Sequence, residues 1–339
     1  MHTENRKIGV ALIGAGRFGT KRACAVGKSA RSVLAVVADV AGELAGAVGQ
    51  KFECRATTDW REAVTQENVG VVIVSTPTRL SSEVSLLAAE AGKHVLTEKP
   101  CAPSSNEFRA VVQAAQRQNV RLKAGYNHRY QRAIRKAHEL FQQGTIGAPL
   151  FVRCVYGHGG RIGYESEWRS QASGGGQLLD QGVHGLDLFQ WFLGEFEEVT
   201  GMVSTAFWPI EPAEDNVFAL LRTRRSVVAQ LHASWTNWRN TFTFELFGER
   251  GYLKVAGLGG SYGPERLCCG LRKKPGDVPE EQWLEFPDPD DSLEQEWEEF
   301  LDAVVEGREP PSNGQEACRT LQLVEAIRRS AHDRCVVRL

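Results

Sequence analysis

Short apolar runs alternate with longer segments of helical periodicity along the first third of the chain. The apolar runs predict buried strands at Ile8–Ile13, Val33–Ala38, Val69–Val74, His94–Thr97 and Arg121–Ala124. The segments between them predict helices near Thr20–Lys28, Ser82–Ala91 and Ser104–Gln118. Strands that alternate with helices in this way indicate βαβ units and a parallel sheet, so residues 1–125 are expected to form an α/β domain.

The pattern changes after about Gly125, where strand-like runs follow one another. These runs predict strands at Leu150–Tyr156, Val199–Ala206, Asn216–Thr223, Ser226–Ser234, Phe242–Phe247, Gly251–Val255 and, at the end, Cys335–Leu339. Helical periodicity predicts helices at Gln131–Gln143, Leu178–Phe192, Leu293–Val305 and Gln315–Ser330. So many consecutive strands favour a large, mostly antiparallel sheet with helices on one face, and residues 126–339 are expected to form an α+β domain.

Composition and charge narrow the possible partners. The chain has 339 residues, of which 42% are apolar and 24% charged, an ordinary globular balance. Its formal net charge of −2 gives no support for nucleic acid or an anionic membrane as a partner. The first residues do not resemble a signal peptide, and no apolar run is long enough to predict a membrane span. Eight scattered cysteines without a C-x-x-C pair favour reduced thiols in a cytoplasmic protein, with no metal site.

A glycine motif follows the first predicted strand. Residues 14–19 read Gly14-Ala15-Gly16-Arg17-Phe18-Gly19, a G-x-G-x-x-G pattern that precedes a helix, as in dinucleotide-binding folds. Gly14 permits the tight turn, Gly16 lets the backbone approach a pyrophosphate, and Gly19 lets helix and strand pack closely. The helix N-terminus then offers N–H groups to the phosphates. The alternative is that the glycines form a structural turn only.

Asp39 ends the second predicted strand, twenty positions after Gly19 (39 − 19 = 20). An acid at this distance binds the ribose hydroxyls of the cofactor, and its charge repels a 2′-phosphate, which favours NAD over NADP. The alternative is that Asp39 caps the helix that follows it.

The strand at His94–Thr97 runs into Glu98-Lys99-Pro100. Ligands of open α/β sheets bind at the carboxyl ends of the strands, so Lys99 is expected to face the cofactor crevice. There it can hold a substrate hydroxyl and stabilise the charge that develops on oxygen as hydride leaves.

The stretch Gly174–Trp191, GGGQLLDQGVHGLDLFQW, contains two polar groups in an apolar helix. Asp180 and His184 are four residues apart and therefore share one helix face. The structural alternatives are a helix N-terminal acid for Asp180 and a core histidine for His184. Asp187 can orient the imidazole or belong to another polar network.

Together these motifs resemble the Gfo/Idh/MocA family of oxidoreductases, which includes glucose–fructose oxidoreductase and inositol dehydrogenase. The resemblance rests on Gly14–Gly19, Thr76-Pro77, Glu98-Lys99-Pro100 and Gly174–Asp187, which occur in order and cover nearly the whole chain. It implies an N-terminal Rossmann domain, a C-terminal α+β domain with a large open sheet, and NAD(P)-dependent chemistry on a sugar or cyclitol. It also implies a homodimer or homotetramer that assembles through the open sheet.

The resemblance assigns roles residue by residue. Lys99 matches the catalytic lysine, Asp180 the active-site acid and His184 the histidine acid/base. Which of Lys99 and His184 accepts the proton stays open. The implied cofactor contacts are Gly14, Gly16, Arg17, Phe18, Gly19, Asp39, Ser75, Thr76, Pro77, Glu98 and Lys99. One departure is Ser81, where many relatives carry a histidine.

Further substrate contacts are expected in two segments. Asn127 and Arg129 follow the domain junction, where the matching family segment lies near the substrate. The glycine-rich segment from Gly157 is expected to be a mobile loop over the site, with aromatic rings suited to stacking on a sugar. The candidate substrate contacts in this segment and just after it are His158, Arg161, Tyr164, Trp168 and Arg169. In each segment a plain surface role is the alternative.

Three functions fit the sequence. The leading one is a dehydrogenase or reductase that acts on a polyol, sugar or nucleotide-linked sugar. The second is an NAD-dependent glycoside hydrolase on the same scaffold, and the third is a non-catalytic sugar-sensing regulator. Retention of Lys99, Asp180 and His184 together argues against the regulator.

Overall fold

The computed structural model describes residues 7–167, 170 and 175–339. These form two compact units. One consists of the residues up to Asn127 together with Leu293–Cys318, and the other of His128–Ser292 together with Arg319–Leu339.

A parallel sheet of six strands forms the centre of the first unit. Its strands are β1 (Ile8–Ile13), β2 (Ser32–Ala38), β3 (Arg55–Thr57), β4 (Val71–Val74), β5 (His94–Glu98) and β6 (Leu122–Gly125). Its connecting helices are α1 (Arg17–Lys28), α2 (Gly42–Phe52), α3 (Trp60–Val64), α4 (Thr78–Glu90) and α5 (Ser105–Arg117). The strand order β3-β2-β1-β4-β5-β6 is that of a dinucleotide-binding Rossmann fold, which confirms the predicted class.

A nine-stranded sheet dominates the second unit, in the order β14-β13-β12-β11-β7-β10-β9-β8-β15. Its strands are β7 (Pro149–Gly157), β8 (Phe196–Ser204), β9 (Asn216–Thr223), β10 (Val228–Ser234), β11 (Thr241–Gly248), β12 (Gly251–Ala256), β13 (Glu265–Leu271), β14 (Glu280–Phe286) and β15 (Val337–Arg338). Every pairing is antiparallel except that of β7 with β10, which confirms a mostly antiparallel sheet. The helices are α6 (Arg132–Gln142), α7 (Val183–Leu193), α8 (Ser292–Glu306) and α9 (Gly314–Asp333), the last two of which each belong partly to the first unit.

Helix α7 packs against one face of this sheet. Along β11 burial alternates strictly, with Phe242, Phe244 and Leu246 buried. The ring of Phe192 lies 4.9 Å from that of Phe244, so α7 covers the buried side. The alternate residues of β11 are half-buried and belong to the opposite face.

The segment Leu293–Cys318 belongs to the first unit, although the sequence analysis placed it within residues 126–339. Trp297, Phe300 and Leu301 lie in the same buried cluster as the β1 and β4 residues. Trp297 also donates its indole N–H to Ser32 Oγ over 3.0 Å. An apolar helix face packs where it buries most surface, and sequence order does not reveal which core that is.

Five elements were not predicted from the sequence: α2, β3, α3, β13 and β14. Helix α2 contains three glycines, which weaken its helical signal. Strand β3 has three residues and exists through its pairing with β2. The edge strand β14 is mostly exposed and polar, so it lacks the alternation that marks a half-buried strand.

Candidate active site

Two of the glycines in the first motif are required by close backbone approach. Gly14 has a φ of +97°, and a Cβ there would lie 2.4 Å from the carbonyl oxygen of Ser75. A Cβ on Gly19 would lie 1.9 Å from the carbonyl oxygen of Gly14. At Gly16, by contrast, a Cβ would meet no atom within 4 Å. Gly14 and Gly19 therefore shape the turn, while Gly16 borders open space.

The N-terminus of α1 fits a pyrophosphate. Gly16 is its N-cap residue, no side chain caps it, and its first turn holds no acidic residue. Arg17 and Phe18 are exposed there. Backbone N–H groups at such a helix start favour an anion, so the residues present fit the phosphates of a dinucleotide.

The Asp39 carboxylate lies against the glycine turn. Its Oδ2 accepts a hydrogen bond from the backbone N–H of Ala15 over 2.7 Å, and Oδ1 accepts one from Ala41 over 2.9 Å. The N-cap residue of α2 is Ala41 and has no side-chain cap, so Asp39 is not the cap of that helix. The carboxylate is half-buried at the end of β2, the position of a ribose-binding acid.

The turn Ser75-Thr76-Pro77 connects β4 to α4. The Ser75 N–H donates to the carbonyl oxygen of Ile13 at the end of β1, over 2.7 Å. Ser81 is buried and donates its hydroxyl to the carbonyl oxygen of Thr76 over 3.2 Å. In this chain the serine supports the turn from within α4.

Glu98 ends β5 and belongs to a buried ion network. Its Oε1 lies 2.5 Å from Arg22 Nε, and Arg22 Nη2 lies 2.6 Å from Glu296. Lys123 Nζ lies 3.7 Å from the same Glu296, so two cations balance two anions. Burial raises the pKa of Glu98, and the Arg22 guanidinium opposes that shift. The Glu98 carboxylate, expected as a cofactor contact, thus anchors the strand end that leads into Lys99.

Lys99 directly follows this anchored strand end. It is half-buried, and the peptide bond from Lys99 to Pro100 is cis. The network holds the backbone immediately before Lys99, which fixes the point from which the lysine side chain extends.

Asp180 and His184 lie on one continuous helical segment whose start is wider than an α-helix. Leu178–Gly182 form a π turn that contains Asp180, and α7 continues from it with His184 in its first turn. Both side chains are buried, with exposed fractions of 6% and 4%. Periodicity predicted the helix but not the π turn, and single π turns occur frequently at functional sites.

The glycines before this helix have positive φ, and one of them, Gly176, lies close to Glu214. Gly175 has a φ of +91° and Gly176 of +61°, and a Cβ on Gly176 would lie 2.5 Å from Glu214 Cδ. Glu214 Oε1 also accepts a hydrogen bond from the N–H of Leu178. The carboxylate therefore anchors the start of the helix. Gly174 lies outside the described residues.

His184 stacks on a second histidine. The ring centroids of His128 and His184 are 3.6 Å apart, with 11° between the planes. His128 Nε2 lies 3.1 Å from the hydroxyl of Tyr156. Burial, followed by the effects of Tyr262 and Asp180, holds the pKa of Tyr156 well above its usual value. His128 was not among the residues predicted for the site, because nothing local in the sequence marks a histidine that stacks on a distant ring.

A chain of polar side chains extends from Tyr156. The Gln177 amide donates to Gln181 over 2.6 Å, and the Gln181 amide donates to the Tyr262 hydroxyl over 2.6 Å. The rings of Tyr262 and Tyr156 are 5.2 Å apart. We call the following group, which is buried except for the half-buried Tyr262, the histidine–tyrosine cluster: Asp180, His184, His128, Tyr156, Tyr262 and Gln181.

Arg129 pairs with Asp187. The guanidinium contacts both carboxylate oxygens, at 2.8 and 2.6 Å, and both side chains are buried. Of the two roles considered for Asp187, orienting the imidazole or belonging to another polar network, the structure shows the second, because Asp187 pairs with Arg129. Asn127, the other expected substrate contact of this segment, is half-buried at the start of a 3₁₀ turn, Asn127–Tyr130.

The glycine-rich segment after β7 is packed by aromatic residues. Tyr164 is buried with Ile210, Ala213 and Trp235, and its ring lies 5.0 Å from that of Trp235. A Cβ on Gly160 would lie 2.4 Å from Trp208 Nε1, so the segment is held closely. The contact of Tyr164 with substrate stays a prediction. Trp168 and Arg169 lie outside the described residues.

The described part of the chain contains neither a cluster of metal-binding side chains nor a membrane-spanning helix. Among residues 7–167, 170 and 175–339, no three or more His, Cys, Asp or Glu side chains gather as a metal site would require. No helix within the same ranges combines the length and the apolar character needed to cross a membrane.

Comparison with known proteins gives matches along most of the chain. The oxidoreductase family with an NAD-binding Rossmann fold matches residues 8–126, and the GFO/IDH/MocA C-terminal domain matches residues 134–254. Levoglucosan dehydrogenase from Pseudarthrobacter phenanthrenivorans is 29% identical over 285 residues, 73% of each chain. A 1,5-anhydro-D-fructose reductase from Ensifer adhaerens is 34% identical over 203 residues, which cover 59% of this chain and 60% of the reductase.

Solved structures show the same fold. Levoglucosan dehydrogenase in complex with NADH and levoglucosan has a TM-score of 0.90 to this chain at 25% identity. The match covers 98% of this chain and 99% of the dehydrogenase.

Proposed function

Because the chain belongs to the Gfo/Idh/MocA family of NAD-binding oxidoreductases, we propose that it transfers a hydride between NAD and a secondary hydroxyl or ketone of a sugar, sugar derivative or cyclitol. The observation that carries the proposal is the surroundings of His184. Its imidazole is buried and stacked, and it belongs to a cluster that also contains a carboxylate and two phenols. General acid–base catalysis on an alcohol needs a positioned group of this type.

The first unit supplies the cofactor site in this proposal. The turn at Gly14, Gly16 and Gly19 and the first residues of α1, Arg17 and Phe18, hold the pyrophosphate. Asp39 accepts hydrogen bonds from the ribose hydroxyls, which favours NAD over NADP. The turn Ser75-Thr76-Pro77 and Lys99 contact the remainder of the dinucleotide, and Glu98 acts through its ion network. These residues would hold the dinucleotide, which would supply the nicotinamide ring that exchanges a hydride with the substrate carbon.

Three side chains act on the substrate, and one of them, His184, transfers the proton. His184 accepts the proton of the substrate hydroxyl, a role that suits an imidazole near neutral pH. Lys99 donates a hydrogen bond to a substrate oxygen and stabilises the negative charge that develops on it. Asp180 accepts a hydrogen bond from a neighbouring hydroxyl and so orients the sugar. Assistance by one such acid–base group typically contributes about 10²–10⁴-fold in rate.

The substrate is proposed to be a ring with several secondary hydroxyls. The two relatives described above are named for levoglucosan and 1,5-anhydro-D-fructose, both of which are anhydrosugars. Asn127, Tyr164, Trp168 and Arg169 are the further contacts that we propose for such a ring. Arg129 supports the site through Asp187, since its guanidinium is held by that carboxylate.

The test is an activity screen with the purified full chain. NAD⁺ is mixed in turn with levoglucosan, myo-inositol, free sugars, sugar phosphates and nucleotide-linked sugars, and NADH is followed by its absorbance. We expect NADH to accumulate with at least one polyol, and the reverse reaction to consume NADH with the matching ketone. Cleavage of a glycoside without net NADH would instead indicate the hydrolase. Binding of sugar and NAD with no turnover in either direction would contradict the proposal.

We further propose that the protein is a cytoplasmic homodimer or homotetramer that associates through the open sheet face. Support comes from apolar side chains on that face: Phe218 and Leu220 of β9 are about half exposed, and Met202 of β8 is 72% exposed. The register of β8 and β9 places Met202 beside Phe218, so the exposed groups are contiguous. Contiguous apolar surface of this kind commonly marks a protein–protein interface.

A further inference from the structure

We propose that Glu214 and Arg328 are positioning residues for Asp180: they hold the backbone ahead of the π turn in one register, and this register sets where Asp180 lies in the site. The inference rests on the proposed roles of Asp180 and His184 in the reaction. It gives a function to a carboxylate and a guanidinium that were not among the predicted site residues, and it links the π turn to the chemistry.

The π turn contains one residue more than an α-helical turn. The N–H of Val183 donates to the carbonyl oxygen of Leu178, five residues back, whereas an α-helix bonds to the fourth residue back. If Leu178–Gly182 relaxed to α-helix, the backbone ahead of it would rotate by about 100° and advance by about 1.5 Å, the step of one helical residue. The side chains within the turn, Asp180 and Gln181, would be displaced as well.

The side chains of the π turn make contacts that depend on its register. The Gln181 amide donates to the Tyr262 hydroxyl over 2.6 Å and accepts a hydrogen bond from the Gln177 amide, also over 2.6 Å. Burial is the main cause that raises the pKa of Tyr262, and the charge of Asp180 adds to the rise, so Asp180 also lies near this phenol. The π register therefore places Asp180 and Gln181 in the histidine–tyrosine cluster.

Glu214 and Arg328 bind the backbone at the start of the π turn and just before it. Glu214 Oε1 accepts the N–H of Leu178 over 3.1 Å, and the Glu214 carbonyl oxygen accepts the N–H of Gln177 over 2.9 Å. Arg328 Nη2 donates to the carbonyl oxygen of Gly175 and lies 3.2 Å from Glu214 Oε1. The backbone ahead of the π turn cannot advance by one residue unless these contacts break.

Both side chains extend from supports that are themselves held by the large sheet. Glu214 is buried directly before β9, and the carbonyl oxygen of the next residue, Asp215, accepts the N–H of Trp235 over 2.8 Å at the end of β10. Arg328 extends from α9, where Ser330 Oγ accepts a backbone N–H of β8 over 2.9 Å. The two groups therefore hold the π turn from a fixed frame.

The first test is a set of crystal structures of the full chain, and it needs no substrate. We expect the π turn in the wild type. In Glu214→Ala we expect the Val183 N–H to bond to the carbonyl oxygen of Leu179, four residues back, as in an α-helix. Glu214→Gln keeps one side-chain oxygen for Leu178 and should keep the π turn. A π turn that is unchanged in Glu214→Ala, or absent from the wild type, overturns the proposal.

A second variant keeps the structural test decisive if Glu214→Ala does not fold. Arg328→Met changes a half-buried side chain and removes the contact with the Gly175 carbonyl oxygen while Glu214 stays in place. We expect the same relaxation to α-helix in this variant. An unchanged π turn in Arg328→Met would contradict the part assigned to the arginine.

The second test separates a positioning role from simple stabilisation. With the substrate found by the screen, kcat of Glu214→Ala should fall by about 10–100-fold, because a displacement of this size misaligns the reacting groups. The KM for NAD should be unchanged, since its proposed site lies in the first unit. Glu214→Gln should recover most of the lost kcat. A lower melting temperature with wild-type kcat, measured well below that temperature, would show that Glu214 only stabilises the fold.

Arg319→Met is the matched control for Arg328→Met. Arg319 also lies on α9 with a similarly exposed side chain, and its Nη1 is 3.8 Å from Glu195, which follows the other end of α7. This variant should keep both the π turn and the wild-type kcat. An equal loss of kcat in Arg319→Met and Arg328→Met would assign the effect to the docking of α9 and contradict the inference.

The structural and kinetic readouts fail separately. If the wild type oxidises no polyol but Glu214→Ala loses the π turn, the proposed function fails and the control of the π register stands. If a polyol is oxidised but the π turn survives in Glu214→Ala and Arg328→Met, the dehydrogenase stands and the role of these two residues is wrong.

Discussion

Arg129 and Asp187 form an ion pair with two contacts in the protein interior, Nε to Oδ2 at 2.8 Å and Nη2 to Oδ1 at 2.6 Å. Arg129 is adjacent to His128, and Asp187 lies one helical turn after His184 on α7. The pair therefore joins the two segments whose histidines stack, and its loss should affect both stability and the stack.

Asp187→Asn is expected to destabilise the protein. The guanidinium of Arg129 would stay buried without its carboxylate, which typically costs about 3–5 kcal/mol. The change in free energy of unfolding is measured by denaturation in urea. Glu139→Gln, which breaks the exposed pair with Lys136, is the control and should have no measurable effect. A loss no greater than that of the control would show that the buried pair contributes little.

Gly16→Ala and Gly19→Ala should separate cofactor binding from folding. A Cβ at Gly19 collides with the carbonyl oxygen of Gly14, so we expect a loss of at least about 2 kcal/mol in stability. A Cβ at Gly16 meets no protein atom, so stability should change by less than about 1 kcal/mol. It would, however, occupy the space proposed for the pyrophosphate, and the Kd for NAD should rise more than about tenfold.

Thermal unfolding and calorimetric titration with NAD measure the two glycine effects. Gly46→Ala in α2 is the control, because a Cβ there also meets no atom within 4 Å. If Gly16→Ala binds NAD with wild-type affinity, the dinucleotide does not bind against Gly16.

Asp39→Ala should weaken NAD binding and reduce the preference for NAD over NADP. The substitution removes an acceptor for the ribose hydroxyls, which is worth about 10–100-fold in affinity, and it removes the repulsion of a 2′-phosphate. Fluorescence titration with both cofactors gives the ratio. Asp59→Ala is the control, since Asp59 accepts similar backbone hydrogen bonds at the start of α3. A wild type that prefers NADP would refute the assignment.

Lys99→Met should retain the fold and lose most of the dehydrogenase activity. The substitution keeps the aliphatic stem and removes the ammonium that stabilises developing charge on the substrate oxygen. We expect kcat to fall by about 10²–10⁴-fold with little change in melting temperature. Steady-state kinetics with the substrate found by the screen measure this, beside Lys51→Met as the surface control. Wild-type turnover by Lys99→Met would exclude a catalytic role.

Leu220→Asp should dissociate the proposed assembly. A charge at this exposed apolar position of β9 opposes burial in an interface. Analytical ultracentrifugation should show an oligomer for the wild type and smaller species for the variant. Val278→Asp, at an 89% exposed position between β13 and β14, should leave the mass unchanged. A wild type that is monomeric at micromolar concentration would contradict assembly through this face.

Much of the fold could be predicted from the sequence because its signals are local. The bounds of β1 are those predicted, since a run of apolar residues followed by a glycine turn specifies a buried strand that ends there. The glycine turn itself is specified by residues 14–19, because only glycine fits the approach of backbone at Gly14 and Gly19. Segments with weak local signals, such as β3, became strands only through pairing with a neighbour.

In the candidate site, too, some features could be predicted from local sequence signals and others could not. Asp180 and His184 could be placed on one helix face because they are four residues apart, and Asp39 could be placed at a strand end by its distance from the glycines. The roles of Glu98 and Arg129 could not be foreseen. Their charges are balanced by Arg22 and Asp187, which are remote in sequence, and a lone charged residue does not reveal its partner.

By itself, then, the sequence determined the family, the two kinds of sheet and the positions of Lys99, Asp180 and His184, because periodicity, glycine turns and short motifs act between near neighbours in the chain. Only the tertiary structure decided that His128 stacks on His184, that Glu98 belongs to an ion network, and that α8 packs into the first core. Stacking, ion pairing and burial act over a few ångströms between residues that folding alone brings together.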